Sequence, residues 1–319
     1  MASTARPEYG VVGKTIPAHV NPAAGNAKAA LDALERHPGF EVRLTPPAKL
    51  IVAVRQAVSA GAPRVLVAGG DGTLASAASV LAGTSTALAV LPGGTLNHFA
   101  RDHGIPTDLD QALEVAESGR VSAVDVGYVN DRLFLNTSSV GAYVRFVETR
   151  DRLERHLGYW LATLAAGLRI LRGLGTLTVT LEAEGEKRAY QARLVSIAVG
   201  ERRLAPPGLG RPVGAPGGAL HVVVPRGRRQ ARRVARAYAS WDRGLEVRAM
   251  PLGIDTALVE RLRLDVPMAT VKVATDGEIR RMKRPLEYRL ERGALNVVVP
   301  QGRSAPTQAE PTRDRIHHQ

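Results

Sequence analysis

Apolar and polar positions over the first 125 residues alternate between a two-residue and a three-to-four-residue period, the signatures of strands and amphipathic helices. Ile16 to Val20, Phe40 to Leu44, the apolar run from Val65 and Ala87 to Leu91 read as strands. Ala27 to Arg36, Ala48 to Ala60, a segment from about Leu74, His98 to His103 and Leu109 to Glu117 read as helices. Such alternation predicts a parallel sheet covered by helices. After Gly119 the pattern changes. Val121 to Val129 and Arg132 to Asn136 predict a strand pair joined by Asn130-Asp131, and Val144 to Leu171 a long helical segment. From Thr176 strands dominate: Thr176 to Glu182, Ala189 to Val199, Leu220 to Val224, Leu245 to Ala249, Leu262 to Val266, Thr270 to Ala274 and Ala294 to Val299, with a hairpin turn at Gly185-Glu186. Short strands separated by turns predict a sandwich or half-barrel. Pro206 to Gly218 is rich in proline and glycine and reads as an ordered loop or flap.

The fold class this implies is α/β followed by β: an N-terminal doubly wound parallel-sheet domain and a C-terminal β-sandwich-like domain. The expected division is a flexible N-terminus at 1–12, an α/β domain at 13–125, a β-rich domain at 126–284 and a disordered tail at 301–319. A chain of 319 residues with 45% hydrophobic content has room for two such cores. The absence of cysteine excludes disulfides, thiolate metal sites and a cysteine nucleophile. MASTARPEYG lacks the apolar stretch of a signal peptide. No run reaches the roughly 18 uninterrupted apolar residues of a membrane span. Leu157 to Leu171 comes nearest and is interrupted by Arg169. A cytoplasmic protein is expected.

A formal charge of +13 points to an acidic partner. Arg226, Arg228, Arg229, Arg232, Arg233 and Arg236 share faces of one predicted helix, with Arg243 further along. That face is either solvated or suited to anionic lipid headgroups. Nucleic acid is disfavoured, because no binding motif or interleaved aromatic pattern accompanies the charge.

The candidate chemistry sits at two strand ends. Val65 to Thr73, VLVAGGDGT, runs from a strand into a glycine turn and then a helix. Gly69, Gly70 and Gly72 allow a ligand close to the main chain, and the helix N-terminus favours an anion. Asp71 would repel a bare phosphate, so its presence suggests a bridging Mg²⁺. Twenty residues on, the next strand ends in Pro92-Gly93-Gly94-Thr95-Leu96-Asn97, where Thr95 and Asn97 offer uncharged hydroxyl and amide groups. In a doubly wound sheet both loops open at the carboxyl edge, where ligands bind. Near the other end of the chain, Asp276-Gly277-Glu278 follows a strand and can present two carboxylates to a cleft.

Together these residues resemble the lipid kinases that share the diacylglycerol kinase catalytic domain, including bacterial diacylglycerol and sphingosine-type enzymes. The resemblance rests on Asn21-Pro22-Ala23-Ala24-Gly25, GGDGT at 69–73, PGGTLN at 92–97 followed by HFARDHGIP, Asp125-Val126-Gly127, FLNTSSVG at 134–141 and Thr275-Asp276-Gly277-Glu278. It implies ATP between the two domains, with residues 285–300 returning to the first. It further implies nucleotide or metal contacts from Asn21, Gly69, Gly70, Asp71, Gly72, Thr73, Gly94, Thr95 and Asn97, and more weakly from Thr45. Asp71 is the implied ligand of the catalytic Mg²⁺. Asp276 and Glu278 fall at the family's catalytic acidic pair, with Asp71 a lesser candidate for direct base action. The implied reaction transfers the γ-phosphoryl group of ATP to a hydroxyl of diacylglycerol or a sphingoid-like lipid. Such an enzyme is expected at an anionic membrane surface, peripheral to the inner face, and as a possible homodimer.

Ala215 to His221 lacks the carboxylates of the acidic loop that in family members holds a structural magnesium, so no structural metal is expected there. Ala24 and Ala75 stand where polar residues are usual. Gly10 to Thr15 imitates part of a Walker A loop but precedes a strand. Gly208-Leu209-Gly210 lacks a dinucleotide-site context. His98 and His103 lack metal-ligand spacing. An NAD kinase, which shares GGDGT, is the rival enzyme, and a nucleotide- or lipid-binding regulator without turnover is the rival outside enzymes.

Overall fold

The computed structural model describes residues 15–150, 152–153, 165–166, 176–204, 209–212, 217–225 and 254–301. The first half comprises β1 (Ile16–Val20), α1 (Ala27–Glu35), β2 (Phe40–Leu44), α2 (Pro47–Ser59), β3 (Arg64–Gly69), α3 (Asp71–Leu81), β4 (Ala87–Pro92), α4 (His98–Asp102) and α5 (Leu109–Ser118). Then follow β5 (Arg120–Val129), β6 (Arg132–Phe134), β7 (Thr137–Gly141) and a helical segment at 142–150. The remaining strands are β8 (Leu177–Ala183), β9 (Glu186–Ala192), β10 (Leu194–Val199), β11 (Arg202–Leu204), β12 (Leu209–Pro212) and β13 (Leu220–Pro225). The last are β14 (Ile254–Val259), β15 (Arg261–Asp265), β16 (Thr270–Thr275), β17 (Glu278–Lys283) and β18 (Leu286–Val299).

Strands β2, β1, β3 and β4 lie side by side and parallel. The two inner strands β3 and β4 are buried almost throughout, which is why they read as unbroken apolar runs. β3 ends at Gly69 opposite the Pro92 that ends β4, so both glycine loops leave the same sheet edge. β18 completes this sheet. It meets β4 in parallel at Val297 and runs antiparallel to β5, with a break in register between Glu291 and Leu295. Its first half pairs with β15, which carries the sheet on to β8 and β9. A second, six-stranded sheet has the order β14-β13-β10-β7-β16-β17. Val179, Leu181, Leu264, Leu286 and Tyr288 from the first sheet pack against Val195, Ile197, Val222 and Val273 from the second. Each such aliphatic side chain contributes roughly 1.5–3 kcal/mol on burial. The architecture is thus an α/β sheet joined to an antiparallel sandwich, with β18 threading both.

Several boundaries differ from the sequence reading. Ala189 to Val199 is two strands in different sheets: β9 is exposed along most of its length, β10 is buried along all of it, and the chain switches sheets at Arg193. The hairpin before β9 turns on Glu184 and Gly185, both at positive φ, one residue earlier than expected. The last strand starts at Leu286, its first half disguised by Glu287, Arg289, Glu291 and Arg292. The helix after the first glycine loop begins at Asp71, not Leu74. β7, Thr-Ser-Ser-Val-Gly, is too polar to read as a central strand. Its buried Ser138 and Ser139 hydroxyls pair with the Tyr288 hydroxyl at 3.1 Å and the Ser196 hydroxyl at 3.2 Å. Residues 10–14 of the Walker-like stretch, residues 154–164 and 167–171 of the expected long helical segment, the arginines from 226 to 243, the strand expected at 245–249, residues 205–208 and 213–216, and the tail after Gln301 lie outside the described residues. No described helix is long and apolar enough to cross a membrane.

Candidate active site

The two glycine loops are packed backbone against backbone. Gly93 N–H donates to the Gly69 carbonyl at 2.9 Å. A Cβ at Gly93 would lie 2.9 Å from Gly69 Cα, and one at Gly94 would lie 2.7 Å from Gly70 Cα. The glycines are therefore required by mutual contact of the loops. Asn97 holds the second loop closed: at φ 48 it precedes α4, and its Oδ1 accepts from Gly94 N–H at 2.8 Å. Two asparagines after β1 brace the pair. Asn21 Nδ2 donates to Thr73 Oγ1 at 3.1 Å, and Asn26 Nδ2 donates to the Pro92 carbonyl at 2.8 Å. Because α3 begins at Asp71, the free N–H groups of its first turn and its positive dipole end face the space above these loops.

Three carboxylates converge there with different duties. Asp71 accepts from the backbone N–H groups of His98 at 3.1 Å and Phe99 at 3.0 Å, capping α4, and Asn136 Nδ2 stands 3.5 Å from its Oδ1. Asp276 occupies the first position of a tight turn, with Asp276 and Gly277 both at positive φ. Its oxygens accept from three consecutive N–H groups, Leu135 at 2.7 Å, Asn136 at 2.8 Å and Thr137 at 3.1 Å. Burial of the carboxyl outweighs these three donors and pushes it up to about 6, with Asp71 adding to the rise. Glu278 points the other way, across the domain boundary. A Cβ on Gly72 would lie 2.9 Å from Glu278 Oε1, so this carboxylate rests on the first turn of α3. Its Oε2 accepts from Arg132 Nη2 at 2.6 Å, while Arg132 Nε donates to Thr275 Oγ1 at 2.9 Å.

A buried ion pair ties α4 to the second domain. Arg202 Nη1 lies 2.6 Å from Asp102 Oδ2, with both side chains almost wholly enclosed. Arg202 N–H also donates to His221 Nδ1 at 3.0 Å. Burial, reinforced by the Arg202 charge, holds His103 and His221 down to about 4, so both imidazoles are neutral at physiological pH. His98 is lowered for the same leading reason, burial. The two histidines singled out in the sequence thus sit beside an interdomain contact.

The structure brings Asn21, Gly69, Gly70, Asp71, Gly72, Thr73, Gly94, Asn97 and Glu278 around one space, with Asp276 behind it. Thr95 is exposed on the second loop. Thr45 stands apart: it is buried at the end of β2, two strands from β3, with its hydroxyl donating to the Arg43 carbonyl at 3.2 Å and 3.0 Å from His19 Nδ1. Arg132, Asn26 and Arg202 support the site and are not singled out by sequence reasoning, and Asn136 is marked there only as part of FLNTSSVG, without a role. Each acts through a partner far along the chain, so no local spacing marks it. Asp71 meets the requirement of a magnesium held mainly by nucleotide phosphates, since its Oδ2 accepts one N–H and retains a lone pair. Among the described residues no group of three or more His, Cys, Asp or Glu side chains could hold a metal by itself.

Fold and site together define a two-domain protein whose paired glycine loops face a carboxylate delivered by a β-domain. Residues 19–129 match the family model described as the diacylglycerol kinase catalytic domain. A protein of Cronobacter sakazakii named "Probable lipid kinase YegS-like" is 36% identical over 158 residues, covering 48% of this chain and 52% of its own length. An uncharacterised protein of Synechocystis is 31% identical over 217 residues, covering 61% of this chain and 50% of its own. The chain thus spans about half the length of these relatives. A crystal structure of a diacylglycerol kinase from Bacillus anthracis superposes with a TM-score of 0.65 at 20% identity, over 90% of this chain and 97% of that one. A second structure from the same organism reaches 0.70 at 22%, over 90% and 98%.

Proposed function

We propose that this protein is an ATP- and Mg²⁺-dependent lipid kinase, transferring the γ-phosphoryl group to a hydroxyl of diacylglycerol or a related lipid such as a sphingoid base. The observation that carries this reading is the placement of Glu278 over Gly72, which sets a carboxylate from one domain against the phosphate-binding helix start of the other. In this reading the triphosphate lies along the first turn of α3 between Thr73 and the Gly94–Asn97 loop, where backbone N–H groups and the helix dipole offset its charge. Asp71 would hold the magnesium, which supplies charge neutralisation at the β- and γ-phosphates.

Glu278 Oε1 accepts the proton of the lipid hydroxyl as that oxygen bonds to the γ-phosphorus and the bond to the β-phosphate oxygen breaks, releasing ADP. Arg132, anchored on Thr275, fixes the other oxygen, so the free lone pairs point at the cleft. Asp276 serves as the anchor of the β6–β7 connection, since all its observed bonds run to that segment. A lipid substrate places the enzyme at a membrane surface, as a cytoplasmic protein bound peripherally.

Calorimetric titration with MgATP tests the nucleotide half of this proposal. Saturable binding is expected for the natural chain. Gly94→Ala, whose new Cβ would meet Gly70 Cα, is expected to bind about tenfold more weakly, in line with overpacking costs of about 1–3 kcal/mol. A natural chain that takes up no MgATP would defeat the proposal.

A further inference from the structure

The loops that the kinase reading assigns to the phosphates carry no positive side chain of their own. Residues 21–26, 69–73 and 92–97 read Asn-Pro-Ala-Ala-Gly-Asn, Gly-Gly-Asp-Gly-Thr and Pro-Gly-Gly-Thr-Leu-Asn, without lysine or arginine. Lys28 and Arg101, on the helices that follow the first and third of these loops, are exposed. Backbone N–H groups and a helix dipole bring only partial charges. Phosphoryl transfer spreads negative charge over three oxygens, and a full positive charge set against them in the transition state is a strong source of rate.

The facing domain supplies two guanidiniums. In the β16–β17 hairpin Thr275 pairs with Glu278 and Val273 with Arg280. Paired residues share a face of a sheet and alternate residues return to it, so Glu278 and Arg280 lie on one face and Arg281 on the reverse. Arg132 and Arg280 approach the same atom, Glu278 Oε2, in different ways. Arg132 Nη2 lies 2.6 Å away, and its Nε is tied to Thr275 Oγ1. Arg280 Nη2 stands at 3.8 Å, beyond hydrogen-bond range, on a side chain that is 60% exposed. An exposed pair at that separation restrains a side chain weakly. The Arg280 guanidinium is thus available for another partner, and it waits one carboxylate's width from Oε1, the oxygen that rests on Gly72.

We infer that Arg280 is a catalytic residue of the phosphoryl transfer: its guanidinium leaves Glu278 Oε2 and donates N–H bonds to the oxygens of the γ-phosphoryl group in flight. The inference rests on the kinase reading. As the acceptor oxygen bonds to phosphorus and the bridging oxygen departs with ADP, Glu278 takes the hydroxyl proton and Arg280 keeps all of its own. The two arginines divide the work: Arg132 holds the base in place, and Arg280 offsets the charge that develops beside it. A guanidinium suits that role, because it stays charged and presents N–H donors in a planar fork.

Calorimetry and a lipid phosphorylation assay on the full chain test this. The natural chain should bind MgADP with aluminium fluoride, which stands in for the phosphoryl group in flight, more tightly than MgADP alone. Arg280→Ala should bind the fluoride complex about tenfold or more weakly and MgADP as well as before, and its kcat should fall about 10²-fold with little change in the KM for ATP. Arg280→Lys should recover part of both losses. Arg281→Ala, on the reverse face of the same strand, should match the natural chain. In a Glu278→Gln background, Arg280→Ala should still weaken binding of the fluoride complex, which a residue acting only through Glu278 would not do. Natural affinity for the fluoride complex and natural kcat in Arg280→Ala overturn the inference and leave the kinase reading standing. Equal losses in Arg281→Ala also overturn it, since they would show a general effect of surface charge. A natural chain that phosphorylates no lipid overturns both.

Discussion

Replacing Glu278 with glutamine is expected to slow lipid phosphorylation by about 10²- to 10⁴-fold, the range for loss of a positioned general base, while MgATP binding is kept. The substitution preserves size and still offers an amide oxygen to Arg132, so the geometry around Thr275 and Arg132 survives. What it removes is the capacity to accept a proton beside the first turn of α3. Phosphoryl transfer depends mainly on positioning and charge neutralisation, which the glycine loops retain. The loss should therefore appear in kcat with little change in the KM for ATP. Arg132→Gln provides the companion measurement. It leaves the carboxylate but frees it to turn away from Gly72, so kcat should fall less than in Glu278→Gln, with nucleotide affinity again kept. Full activity in Glu278→Gln would show that the base lies elsewhere.

Asp276→Ala is expected to act on the fold first, lowering the unfolding free energy by about 3 kcal/mol or more. It strands the N–H groups of Leu135, Asn136 and Thr137, and a buried polar group without a partner costs about 1–3 kcal/mol. The pH dependence carries a second signature. The carboxyl is raised from 3.8 in the unfolded chain to about 6 in the folded one, so the folded state holds this proton more tightly. The stability due to that proton is complete below about pH 4 and disappears as pH rises through about 6. Urea unfolding of the natural chain should lose this contribution over that window, and Asp276→Asn, which does not titrate, should lack it. Equal stability and equal pH profiles in the natural and Asp276-substituted chains would contradict the anchoring role.

Much of the first domain is visible in the sequence because its parallel strands are buried on both faces and appear as unbroken apolar runs ending in glycine. The second domain hides more. β7 is a central strand written in serines, whose hydroxyls pair with those of Tyr288 and Ser196. β9 and β10 run on without a turn residue although they belong to different sheets. The glycine loops can be located from their positions after β3 and β4, but their contact with each other depends on sheet order. The division of labour between Asp276 and Glu278 is likewise hidden. Asp276 is committed to Leu135, 141 positions away, and the facing of Glu278 toward Gly72 requires both domains to be assembled. Asp71 reads as a metal ligand from its glycine surroundings, and its capping of α4 emerges only when the second loop folds back over it.

The most direct test is transfer of the terminal phosphate of γ-labelled ATP, in the presence of Mg²⁺, to mixed micelles of diacylglycerol, to micelles of a sphingoid base and to NAD in parallel. The account predicts label on a lipid hydroxyl, made by the natural chain and nearly absent with Glu278→Gln. Label on NAD alone, or on no acceptor despite bound MgATP, would contradict it.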